Sequence, residues 1–114
     1  MSAEFVCLTL IAARSLRDEL FDYLGEQRDL VRGFISSDIA GHGSDVRLQT
    51  STERVKGHAD ALMVRTIIQV QEVVQLLERL KTAFAGSRIV YWTMPVSEFG
   101  VIGDGGEPWS MLQR

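Results

Sequence analysis

The run Phe5-Val6-Cys7-Leu8-Thr9-Leu10-Ile11-Ala12 is almost wholly apolar and too short for a core helix, so it reads as a buried strand. Past it the period changes. Leu16, Leu20 and Leu24 recur at helical spacing, the Ser15 hydroxyl is placed to cap the N–H of Asp18, and Asp18 and Glu19 suit the positive end of the helix dipole. Gly25 is a natural stop. Leu30 to Ile39 favours a second strand, weakened by Gly33 and polar at Ser36-Ser37-Asp38. From Gly41 to Lys56 the turn cluster Gly41-His42-Gly43-Ser44-Asp45 and a polar stretch without helical periodicity predict a long exposed loop. Loops of that length in compact domains tend to carry function, and residues 43–53, with little to bury, are expected to be mobile without ligand.

His58 to Val70 predicts a third strand, with Leu62, Val64, Thr66, Ile68 and Val70 on one face and Met63, Arg65 and Ile67 on the other. Val73, Leu76, Leu77, Leu80 and Phe84 then mark an amphipathic helix that Ala85-Gly86 ends. Ile89 to Met94 forms the last strand, and Pro95 limits further pairing in a sheet interior. The expected organisation is one domain over residues 1–102 and a flexible tail over 103–114, rich in Gly and turn residues.

The order strand, helix, strand, strand, helix, strand is the split βαβ unit: an α+β, ferredoxin-like βαββαβ fold, its antiparallel sheet carrying two helices on one face. The other face would lie in water, yet strands one, three and four are apolar on both sides, so a second burying surface is needed and oligomerisation supplies it. Composition supports one self-folding core: 114 residues, 46% hydrophobic and 24% charged. Twelve Lys and Arg against 15 Asp and Glu, net −3, give no basic field for nucleic acid. The lone Cys7 reads as a small buried hydrophobe, and the N-terminal run is neither a membrane span nor a signal peptide, which makes a cytoplasmic location the expectation.

Val31-Arg32-Gly33-Phe34-Ile35-Ser36-Ser37-Asp38-Ile39-Ala40-Gly41-His42-Gly43 resembles the second strand and following loop of PII signal-transduction proteins, with Gly33, Ser37, Asp38, Gly41 and Gly43 at matching places. Tyr91-Trp92-Thr93-Met94-Pro95-Val96-Ser97-Glu98-Phe99-Gly100 is similar instead to an uncharacterised PII-related family often found beside heavy-metal efflux systems, and to the CutA-type divalent-cation-tolerance proteins of the same fold. The resemblance implies a homotrimer whose open sheet faces meet at the centre, and a regulatory role exerted on a membrane transporter or another partner protein. It also implies a glycine-rich phosphate-binding loop after the second helix. Here Phe84-Ala85-Gly86-Ser87-Arg88-Ile89 is only a short connection, so ATP is not expected as a ligand.

Candidate chemistry gathers around the long loop. His42 and His58 bracket it, and with Asp38, Asp45 or Asp60 they form a donor set that suits zinc or copper; both histidines can equally be solvated loop residues. Arg54, Lys56 and Arg65 can line an anion pocket at the loop base, where Gly41, His42 and Gly43 bring backbone N–H groups close to an oxyanion. No serine sits in a nucleophile elbow and no acid pair marks a pocket, so no enzymatic activity is expected. Three functions follow: a ligand- or metal-responsive regulator, a CutA-like metal-tolerance protein, or a structural trimer.

Overall fold

The computed structural model describes residues 4–43 and 51–103, with side chains 55 and 56 outside the description. Four strands form one antiparallel sheet: β1 (Phe5–Ala13), β2 (Ile35–Gly41), β3 (Ala59–Gln69) and β4 (Val90–Val96), in the order β2-β3-β1-β4. Helices α1 (Arg17–Glu26) and α3 (Val70–Ala83) supply the crossovers, and a short helix α2 (Ser51–Lys56) precedes β3. This is the ferredoxin-like arrangement, with the two longest strands paired at the centre from Phe5 with Gln69 to Ala13 with Ala61.

Alternation along these strands divides the molecule. Val6, Leu8, Leu10 and Ala12 of β1 and Leu62, Val64 and Ile68 of β3 form one core with Leu20 and Leu24 of α1 and Val73, Leu76 and Leu80 of α3. Both helices therefore cover the same sheet face. On the other face, register pairs Cys7 with Ile67 and Met94, Thr9 with Arg65 and Trp92, and Ile11 with Met63 and Val90. Ile35 and Ile39 extend this face onto β2, opposite Arg65 and Ala61. Nothing within the described chain covers it fully: Ile35 is 57%, Val90 56% and Met94 50% exposed. Cys7 lies on this open face, half-buried and not in the core as its apolar setting suggested.

Four local expectations shift. Leu30 and Val31 do not begin a strand; their N–H groups bond to the Gln27 carbonyl at 3.0 and 2.7 Å, and the turn drops both side chains into the core. Their apolarity reflects that burial, and β2 starts only at Ile35. Ser15 does not cap α1: a 3-10 turn over Arg14–Leu16 leads into the helix, without a capping side-chain bond. The second half of the expected loop contains α2, six residues that would not hold a helix alone and are tied down through Glu53. Pro95 lies within β4, which pairs only with β1, so its missing N–H faces the free edge of the sheet. The connection to α3 is fixed separately, by Arg79 binding the Asp29 carboxylate through both terminal nitrogens at 3.0 and 2.9 Å.

Core and rim positions of α3 should separate cleanly. Leu76→Ala, at a fully buried site, is expected to lower unfolding stability by about 3 kcal/mol in urea titrations. Val74→Ala, 57% exposed two residues earlier on the opposite side of the helix, should change it by less than about 0.5 kcal/mol. Equal losses would contradict the assigned core.

Candidate functional site

The ends of β1 and β2 and the start of β3 meet at one end of the sheet, and most of the ion pairs among the described residues converge there. Antiparallel register brings this about. Gly41 pairs with Ala59, and one step further His42 stands opposite His58, their ring centroids 5.4 Å apart. Two imidazoles on one tetrahedral zinc ion, with metal–nitrogen bonds of about 2.0–2.1 Å, place their ring centroids about 5 Å apart. The histidine centroids are spaced as two ligands of one ion would be, a spacing they share with two rings packed in tilted contact. Asp60 lies 3.7 Å from His58 Nε2, where a carboxylate can orient a ring whose other nitrogen takes a metal. Among the described residues no three His, Cys, Asp or Glu side chains converge into a complete cage.

Beside the histidines, Arg14 holds the three strands together. Its Nη2 donates to the carbonyls of Ile39 at 3.1 Å and Ala61 at 3.4 Å, while Nε lies 3.6 Å from Asp38 and Nη1 3.9 Å from Asp60. Arg17 donates to Asp38 at 2.8 Å. That hydrogen bond holds the Asp38 carboxyl below the usual carboxylate range; partial desolvation opposes it, and the charges of Arg14 and Arg17 reinforce it. Glu53, 5% exposed, accepts the Asp60 N–H at 2.5 Å and so fastens α2 to the first turn of β3.

The candidates taken from sequence divide accordingly. Gly41, His42, His58 and Asp60 come together. Asp38 does not join them, because four residues of strand separate it from His42 by about 13 Å and its carboxylate is engaged by arginines. Arg65 is not at the loop base either: six residues along β3 from Ala59, about 20 Å, it lies on the open face opposite Thr9 and Ile35. Gly43 has φ 124°, a conformation that suits glycine, and Arg54 lies exposed on α2. Asp45, the Lys56 side chain, most of the 43–53 stretch expected to be mobile, and the tail beyond Gly103 lie outside the described residues. Arg14, Arg17 and Glu53 escaped the sequence reading, which offered no spacing rule linking a residue after β1 to carboxylates over twenty positions away.

Away from this cluster a cavity of about 220 Å³ opens where α3 turns into β4, lined by Leu80, Lys81, Phe84, Arg88, Ile89 and Tyr91. The turn is tight, with Gly86 at φ 84° and Arg88 at φ 58°, and Lys81 stands 5.5 Å over the Tyr91 ring.

A family profile described as "Protein of unknown function (DUF3240)" matches residues 2–103. The chain belongs to the DUF3240 family. No curated protein matches it in sequence. A DUF3240 family protein from Shewanella baltica OS155 is similar in structure, with TM-score 0.70 and 21% identity over 90% of this chain and 100% of that one. CPII from Thiomonas intermedia K12, a nitrogen regulatory PII-like protein bound to ADP, AMP and bicarbonate, gives TM-score 0.61 and 19% identity over 82% of this chain and 90% of that one. The DUF3240 chain therefore has the fold of PII-like proteins. Among its described residues no helix is long and apolar enough to cross a membrane.

The arginine cluster gives an acid-side test. Asp38 is more acidic folded than unfolded, so its contribution to stability is complete above about pH 4 and is lost as pH falls through its lowered folded value. Asp38→Asn should flatten the loss of stability in denaturant titrations over that acid range. An unchanged acid slope would show that the Arg17 and Arg14 contacts do not persist in solution.

Proposed function

We propose that this DUF3240 protein is a non-enzymatic, PII-like regulatory module that takes a zinc or copper ion at the His42–His58 pair and signals to a partner protein. The observation that carries the proposal is the 5.4 Å separation of two imidazoles at the facing ends of β2 and β3, with Asp60 behind His58. An ion held there ties the two strand ends together at the base of the chain between them. Binding thereby changes the surface those residues present to a partner, such as a membrane transporter. Two imidazoles and one oriented carboxylate favour reversible sensing over the storage role of a tolerance protein, since a buffer needs a fuller ligand set.

We further propose that the working form is a homotrimer assembled through the open sheet face. Val90, Trp92 and Met94 are exposed side by side on β4 and Ile35 on the opposite edge strand of the same face, exposed apolar residues of the kind that mark an interface. PII-like relatives include a nucleotide-bound protein, but nucleotide need not be this chain's signal. The six residues between α3 and β4 are too few to wrap a triphosphate, which needs several converging donors.

Zinc titration by calorimetry, with copper in parallel, tests the metal reading. One ion should bind per chain, and His42→Ala or His58→Ala should each weaken affinity about tenfold or more, while Asp60→Asn weakens it less. Binding unchanged in the double histidine variant would refute the site. In the same experiment ATP should show no low-micromolar binding, and a low-micromolar isotherm would overturn that part of the proposal.

A further inference from the structure

The sheet face turned away from the helices carries one charged side chain among its paired strand positions, Arg65, near its centre on β3. Across the β1–β3 ladder its partner is Thr9, which is 1% exposed although it points away from the helix-covered core. Neither is satisfied: the Thr9 hydroxyl and the Arg65 Nε are both buried without a hydrogen-bond partner. Threonine at the equivalent depth on the helix side behaves differently, since Thr66 donates to the Gly33 carbonyl at 2.6 Å. Buried polar groups are rarely left unpaired, because each loses its hydration without compensation. Two such groups at one register position mark a place where an acceptor is missing.

We infer that a small oxyanion, a carboxylate or phosphate group, binds between copies of the chain at Arg65 and Thr9. The inference rests on the assembly proposed above, and follows from what that assembly brings to the site. Like faces meeting add Arg65 to Arg65, and the paired positions of this face hold no carboxylate to neutralise them. The acids whose contacts are described lie elsewhere: Asp38 and Asp60 in the Arg14 cluster, Asp29 against Arg79. A buried cation without a counter-charge is strongly unfavourable. An oxyanion resolves this, because the planar guanidinium matches it with a fork of N–H donors and the hydroxyl supplies a further one. Apolar neighbours Ile11, Ile67, Met94 and Trp92 exclude water around it and strengthen those bonds.

Thermal melting and light scattering on the full chain in anion-poor buffer, with inorganic phosphate or acetate added, test the site. Wild type should assemble, and its Tm should rise with the logarithm of the concentration of at least one of these anions. Thr9→Val, nearly isosteric, should shift the anion dependence to about tenfold higher concentration. Arg65→Met should assemble with no anion dependence at all, since an apolar side chain needs no counter-ion there. An assembled wild type whose Tm ignores both anions, or an Arg65→Met chain that keeps the dependence, overturns the anion site and leaves the assembly standing. A wild type that stays monomeric under every condition overturns both.

Discussion

A central strand that is apolar on both faces needs cover on both faces, and β1 imposes that requirement on the whole molecule. Leu8 and Leu10 are almost fully buried beneath α1 and α3, while Cys7, Thr9 and Ile11 point the other way. Burying one large apolar side chain contributes roughly 1.5–3 kcal/mol, so the helix side stabilises the fold of a single chain. Among the described residues the opposite side has no helix over it, and Trp92, Met94 and Val90 stay partly in water. The same pairing of β1 with β3 that builds the core also sets the histidine pair in place, because β3 and β2 share the register that carries His42 to His58.

At that end of the sheet, side chains add to what the backbone ladder holds. The ladder is reinforced there by a side chain: Arg14 donates to the carbonyls of the paired residues Ile39 and Ala61, while its charge is matched by Asp38 and Asp60. Asp60 therefore belongs to two systems, bracing Arg14 on one side and facing His58 on the other. Under the proposed function this coupling matters, because an ion at the histidines would sit beside the residue that joins α2, β3 and Arg14.

The fold was legible in the sequence wherever periodicity reports burial. The strand and helix order, the two-sided strands and the helix stripe Val73, Leu76, Leu80 follow from spacing alone, and all are found in the structure. Leu30 and Val31 misled because an apolar pair signals burial without saying whether a strand or a turn delivers it. The short α2 was invisible because Glu53 stabilises it through a contact with Asp60, not through propensity. Within the site, the meeting of His42 and His58 was foreseeable from the hairpin-like path between two strands. The position of Arg65 was not, since strand length and register, absent from composition, decide how far along β3 it falls.

Sedimentation velocity of the unmodified chain, diluted through the micromolar range, tests most directly the claim that the open sheet face is an interior surface. The account predicts a single species at three times the 12.7 kDa chain mass that persists on dilution. A stable, well-folded 12.7 kDa species across that range would contradict it.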